Sequence, residues 1–88
     1  MIKIYSTAWC GPCKAAKRLL DELNQTYEEI DIEEEGISRQ ELKELTGGVT
    51  VPQIIVHGQS IGGFDSLFQL NQQGKLKKML QLWNLLMK

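Results

Sequence analysis

The chain has 88 residues, 42% of them hydrophobic and 24% charged, and its formal net charge is −1. A chain of this length predicts one domain, residues 1–88, with a modest core. It has neither the basic excess of nucleic-acid-binding proteins, nor an apolar stretch long enough to span a bilayer, nor a secretory signal, so we expect no nucleic-acid or membrane partner.

The beginning of the chain predicts a strand, a helix and a second strand. Residues 1–6 are apolar and β-branched, which favours a strand in the centre of a sheet. Pro12 suits the first turn of a helix, and apolar residues then recur at helical spacing as far as Asn24. Residues 27–32 predict the second strand. Strand, helix and strand in this order indicate a parallel crossover unit.

An acidic connection leads to a second helix. The three glutamates at residues 33–35 have no other obvious metal ligand near them, so we expect a solvated segment. Ser38 and Glu41 form a capping box that marks the start of the helix, with Ile37 placed for a hydrophobic staple. Gly47 is predicted to end the helix.

The second half of the chain predicts a hairpin and two further helices. Residues 51–56 form a third strand, residues 57–60 a turn, and a short fourth strand reaches residues 62–63. Helices are predicted over residues 64–72 and 75–86. The order β-α-β-α-β-β-α plus a C-terminal helix predicts an α/β, thioredoxin-like fold, in which a four-stranded mixed sheet carries helices on both faces.

The two cysteines are only three positions apart. Small secreted domains use four or more cysteines to join distant segments, which Cys10 and Cys13 cannot do. The pair therefore indicates redox chemistry in a reducing compartment, and we expect a cytoplasmic protein. A zinc half-site is an alternative, but structural zinc sites use four protein ligands and the chain has one histidine, His57.

The position of Cys10 suits it to attack disulfides. Thiol–disulfide exchange requires a thiolate, and Cys10 lies just before a helix, where unpaired N–H groups and the helix dipole stabilise negative charge. Cys13 lies one helical turn further on, close enough to form a disulfide with Cys10. The sequence therefore predicts that Cys10 attacks a substrate disulfide and that Cys13 resolves the mixed disulfide.

The sequence resembles the glutaredoxin family along nearly the whole chain. Three segments carry the resemblance: Ile4-Tyr5-Ser6, Leu45-Thr46-Gly47 before Thr50-Val51-Pro52, and Ile61-Gly62-Gly63. The active-site string Trp9-Cys10-Gly11-Pro12-Cys13-Lys14 is instead similar to thioredoxin. The sequence thus combines a thioredoxin-type active-site motif with a chain that otherwise resembles glutaredoxins.

The resemblance also implies a binding site. Pro52 would be a cis proline facing Cys10, whereas a trans proline at an edge strand is the alternative. Asp65 and Ser66 would contact glutathione, although capping of the following helix would explain them equally well. Trp9 would form an apolar rim for protein substrates; the alternative is that it is a partly buried packing residue. The complete set implied for substrate and glutathione is Trp9, Pro12, Arg39, Thr50, Val51, Pro52, Gly63, Phe64, Asp65 and Ser66.

Three departures from these families bear on the chemistry. Thr7 stands where glutaredoxins usually carry a lysine, and Pro12 replaces their aromatic residue inside the motif, so we expect glutathione to bind weakly. A lysine in place of Thr7 is expected to strengthen binding. Ile4 stands where thioredoxins have a buried acid, which leaves no obvious side-chain proton acceptor for Cys13.

The function implied by the resemblance is reduction of disulfides in proteins and of glutathione mixed disulfides, with electron donation to enzymes such as ribonucleotide reductase. Glutathione or thioredoxin reductase would supply the electrons, and we expect a monomer without a bound cofactor or metal. An iron–sulfur cluster-binding module and a non-catalytic interaction domain are the alternatives. The intact cysteine pair argues against the second of these.

Overall fold

The computed structural model describes residues 1–86, with side chains through residue 80. The elements of this part are β1 (Ile2–Ser6), α1 (Gly11–Glu22), β2 (Glu28–Asp31), α2 (Arg39–Thr46), β3 (Gln53–Val56), β4 (Gln59–Gly62), α3 (Phe64–Gln72) and α4 (Lys75–Leu86). The sheet order is β2-β1-β3-β4, with β1 parallel to β2 and antiparallel to β3, and β3 antiparallel to β4. The predicted element order and the central position of the first strand are confirmed.

Helices cover both faces of the sheet, as predicted. Successive residues of a strand point to opposite faces, so Ile4 and Tyr5 enter different cores. Tyr5 joins Ile32 and Leu42 of α2 in the smaller core. The larger core lies under α1, α3 and α4, and its buried members are Ile2, Ile4, Ala16, Leu20, Ile54, Val56, Leu67, Leu76 and Leu80. The helices thus hold the sheet between two layers.

Several element boundaries differ from the predicted ones for local reasons. α1 ends before Asn24, whose φ of 57° lies in the left-handed region and cannot continue a helix. β3 begins at Gln53 rather than at residue 51, because Pro52 has no N–H for the sheet ladder. The turn before β4 is shorter than predicted, since His57 and Gly58 both have positive φ and form a two-residue hairpin turn. β2 is one residue shorter at each end.

α2 is held at both ends by the predicted signals. Ser38 Oγ accepts the Glu41 N–H at 3.1 Å, and the Glu41 carboxylate accepts the Ser38 N–H at 3.3 Å. Ile37 packs with Leu42 in the smaller core, which completes the hydrophobic staple. Gly47 ends the helix at a φ of 88°. The helix therefore sets the direction of the loop that leads to the active site.

Candidate active site

The cysteine pair lies at the N-terminus of α1. Cys10 and Cys13 form a disulfide, and their Cα atoms are 5.2 Å apart. Cys10 is the N-cap residue, and its Sγ accepts the Cys13 backbone N–H at 3.1 Å. Pro12, at the second position of the helix, has no N–H to offer. The backbone thus directs a hydrogen-bond donor at the Cys10 sulfur, as the sequence predicts.

The loop before β3 lies directly against this sulfur. The Val51–Pro52 peptide bond is cis, which confirms the prediction. Cys10 Sγ lies 3.6 Å from the carbonyl oxygen of Val51. Cys10 is 3% exposed and Cys13 is fully buried, so a substrate must approach from the side of Cys10.

A groove of about 600 Å³ opens beside the pair. Its walls come from the start of α1, the loop before β3 and the start of α3. The lining residues are Gly11, Pro12, Ala15, Thr50, Val51, Pro52, Gly63, Phe64, Asp65 and Ser66. The groove therefore brings together every residue of the predicted binding set except Trp9 and Arg39, and it adds Gly11 and Ala15.

Two consecutive glycines lie where the loop before β3 meets the start of α3. Gly62 has a φ of 97°, which favours glycine, whereas a Cβ on Gly63 would make only an ordinary contact of 3.5 Å with the Pro52 carbonyl oxygen. Gly63 is also the N-cap of α3, and no side chain caps this helix. The capping alternative for Asp65 and Ser66 is therefore wrong, because both residues lie inside the first turn. The N–H groups at the start of α3 have no side-chain acceptor at the cap.

Trp9 and Arg39 lie outside the groove. Trp9 is 65% exposed, which contradicts the packing interpretation, and its Nε1 donates to the Glu33 carboxylate at 2.8 Å. Arg39 is exposed, and its Nη1 donates to the Val49 carbonyl oxygen at 3.1 Å. Both side chains are therefore held next to the site by contacts with neighbouring loops.

Gln53 supports the loop before β3, and the sequence reasoning did not identify it. Its side chain is buried, and Nε2 donates to the Thr50 carbonyl oxygen at 2.9 Å. A Cβ on Gly48 would collide with the Gln53 amide, so a side chain there would force this amide to move. The sequence feature that could have identified Gln53 is a polar residue at the first position of an otherwise apolar strand.

A polar network lies next to β1 on the side of α1. Glu29 accepts hydrogen bonds from Lys17 Nζ at 2.7 Å and from Ser6 Oγ at 2.8 Å. The Lys17 hydrogen bond, followed by that of Ser6, lowers the pKa of the Glu29 carboxyl against the opposing effect of burial. The carboxylate is thus held in its charged form beside the helix that carries the cysteines.

The position of Thr7 does not match its predicted relation to glutathione. Its side chain is 3% exposed, and it does not line the groove. A lysine at this position would have to displace packed atoms before its ammonium reached a ligand. The predicted gain in glutathione binding from such a lysine therefore has no support in the geometry.

No helix among residues 1–86 is both long and apolar enough to cross a membrane. In the same part of the chain, no three or more His, Cys, Asp or Glu side chains are grouped so that they could hold a metal ion.

Comparisons with known proteins agree with this geometry. The Glutaredoxin family profile matches residues 2–61. The chain is 42% identical to glutaredoxin 1 of Rickettsia conorii, covering 91% of this chain and 80% of that protein. It is 35% identical to glutaredoxin 3 of Escherichia coli K12, covering 91% of this chain and 96% of that protein. The solved buckwheat glutaredoxin–glutathione complex is similar at a TM-score of 0.82 and 33% identity, covering 91% and 76%. The chain therefore belongs to the glutaredoxin family and is a dithiol thiol–disulfide oxidoreductase.

Proposed function

We propose that this oxidoreductase takes its electrons from glutathione and passes them to disulfides in proteins. The observation that carries the proposal is the groove that opens beside Cys10 and is lined by eight of the ten residues predicted to bind substrate. The similar buckwheat protein was solved as a glutathione complex, which supports the same ligand here. A reducing compartment such as the cytoplasm would supply glutathione.

In this proposal Cys10 is the attacking residue. Its sulfur already accepts the Cys13 N–H, and the positive end of α1 favours the thiolate. The thiolate attacks one sulfur of the substrate disulfide and forms a new S–S bond. The other substrate sulfur leaves with the bonding electron pair and takes up a proton.

Cys13 completes the first half of the reaction. Its thiol loses a proton and attacks the Cys10 sulfur, which releases the second substrate thiol and leaves the Cys10–Cys13 disulfide. Two electrons have then passed from the enzyme to the substrate. Two glutathione molecules restore the dithiol, because the first forms a mixed disulfide with the enzyme and the second releases it as glutathione disulfide.

The groove offers complementary groups for a small acidic peptide. Thr50 is exposed and Val51 is half-buried along one wall, where an extended peptide can lie against the loop. On the opposite wall, the first turn of α3 has no side-chain cap, so its N–H groups can receive a carboxylate. Asp65 lies in that turn and can accept a neighbouring ammonium group. Glutathione carries both groups on its γ-glutamyl residue.

Arg39 and Trp9 extend the site beyond the groove. The Arg39 guanidinium bonds to Val49 next to Thr50, so we place it near a second carboxylate at that end of the ligand. The exposed indole of Trp9 offers an apolar surface for protein substrates beside the disulfide. Candidate substrates include enzymes such as ribonucleotide reductase.

The source of electrons is tested by measuring disulfide reduction with two systems. One contains glutathione, glutathione reductase and NADPH, and the other contains thioredoxin reductase and NADPH. We expect rapid reduction of a glutathionylated peptide with the first system. Rapid turnover with thioredoxin reductase and none with glutathione would overturn the proposal.

Arg39→Ala tests the ligand position, with Arg18→Ala as a matched control on the exposed surface of α1. Loss of a charge-assisted hydrogen bond weakens binding by about 1.5–3 kcal/mol, so the KM for glutathione should rise roughly tenfold or more. The control should leave KM unchanged. An equal effect of both substitutions would indicate general electrostatics rather than a contact at Arg39.

The roles of the cysteines are separated by single substitutions. At a pH below the pKa of an ordinary thiol, Cys13→Ser should react rapidly with iodoacetamide through Cys10, and Cys10→Ser should react slowly. Cys13→Ser should also retain protein substrates as mixed disulfides, because no internal thiol releases them. Faster alkylation of Cys10→Ser would reverse the assignment.

A further inference from the structure

Thr7 carries a buried hydroxyl group that the reaction described so far does not use. The residue is 3% exposed and lies between β1 and α1. Its Oγ1 is fully enclosed and finds no hydrogen-bond partner within the described part of the chain. An unpaired buried hydroxyl is unfavourable, and native proteins pair the great majority of such groups. The oxidised state therefore leaves a donor unused close to the disulfide.

The backbone brings this hydroxyl to the nucleophile. The Cys10 N–H donates to the Thr7 carbonyl oxygen at 3.4 Å, which closes a four-residue turn. Such a turn holds its first and fourth Cα atoms within about 7 Å of each other. The turn therefore places Thr7 and Cys10 next to each other in space.

Reduction changes what the Cys10 sulfur can accept. Two thiols of the reductant supply two electrons and two protons, the Cys10–Cys13 S–S bond breaks, and the reductant becomes a disulfide. The Cys10 thiol then releases its proton to solvent and becomes a thiolate. A charged sulfur is a much better hydrogen-bond acceptor than a disulfide sulfur. A nearby unpaired donor therefore gains a much stronger acceptor in this state.

We propose that the Thr7 hydroxyl donates a hydrogen bond to the Cys10 thiolate after reduction and thereby stabilises the reduced enzyme. The hydroxyl then acts as a second donor beside the Cys13 N–H. Thr7 therefore serves the nucleophile directly, although it lies outside the glutathione groove. The proposal depends on thiol–disulfide exchange at Cys10 and not on which molecule supplies the electrons.

The test compares Thr7→Val, which keeps the shape and removes the hydroxyl, with Thr7→Ser, which keeps the hydroxyl. The pKa of Cys10 is measured by the pH dependence of alkylation in a Cys13→Ser background. We expect Thr7→Val to raise this pKa by about one unit, a tenfold loss of thiolate at low pH. With both cysteines present, the equilibrium with glutathione should shift about tenfold toward the disulfide, or about 30 mV. Thr7→Ser should retain most of the wild-type values.

Thermal unfolding distinguishes this role from simple packing. Thr7→Val should leave the oxidised protein as stable as wild type or more stable, since it removes an unpaired hydroxyl, and should destabilise the reduced protein. If Thr7→Val is poorly folded, Thr7→Ala and Thr7→Ser, which differ by one oxygen, provide the same comparison. Equal thiol pKa values with and without the hydroxyl, or equal destabilisation of both redox states, would overturn the proposal.

Discussion

Pro12 limits how strongly the helix can stabilise the Cys10 thiolate. An N-cap side chain accepts hydrogen bonds from the backbone N–H groups at the second and third helical positions. In α1 the third position is Cys13, whose N–H reaches the sulfur at 3.1 Å, and the second is Pro12, which has no N–H. Pro12→Ala restores this donor. We therefore expect a lower pKa of Cys10 in the variant.

The size of the effect follows from the hydrogen bond gained. A hydrogen bond to a charged group contributes about 1.5–3 kcal/mol, and one pKa unit corresponds to 1.36 kcal/mol. We take the lower value because Pro12 itself is exposed and water competes for the thiolate. The pKa of Cys10 should then fall by about one unit, and the reduction potential should rise by about 30 mV.

The assay is the pH dependence of iodoacetamide alkylation in a Cys13→Ser background, together with equilibration of the two-cysteine protein in glutathione buffers. Gly11→Ala is the matched control, because it alters the same turn without changing any N–H group, and a Cβ there meets no atom within 4 Å. An unchanged pKa in Pro12→Ala, or an equal change in Gly11→Ala, would refute the reasoning.

Three further predictions concern the scaffold around the site. Glu29→Gln should lower stability at neutral pH by at most about 1 kcal/mol, because its pair with Lys17 is half-exposed. Since the pKa of Glu29 is lowered, this contribution is lost as the pH falls through that lowered pKa. The thermal unfolding temperatures of variant and wild type should therefore converge in acid. A difference that stays constant with pH would contradict this prediction. Ser38→Ala should cost about 1 kcal/mol in urea unfolding through loss of the α2 cap, and no change would show that the capping box contributes nothing. Glu33→Ala removes the acceptor of the Trp9 indole, so the indole N–H should exchange faster with water in NMR spectra, unless the contact is absent in solution.

Local signals in the sequence were sufficient wherever the interacting groups are close along the chain. The Ser38–Glu41 capping box was predicted and is present, because both partners belong to one helical turn. Cys10 was predicted at the start of a helix for the same reason, and it is the N-cap of α1. The cis bond before Pro52 was also predicted, although that prediction came from the family resemblance.

Contacts between distant segments were decided only by the tertiary structure. Asp65 was a plausible cap by spacing, but Gly63 is the N-cap of α3 and Asp65 lies inside the first turn. The partners of Trp9 and Arg39 lie on other loops, so spacing did not indicate that both side chains stay outside the groove.

The chemistry of the protein was therefore readable from the sequence, because it depends on two cysteines one helical turn apart. The surroundings of the nucleophile could not be predicted from the sequence. The burial of Thr7, between β1 and α1, arises only when these elements pack with the rest of the chain. Burial depends on which segments meet in space, and sequence spacing carries this information only within a single helix, strand or turn.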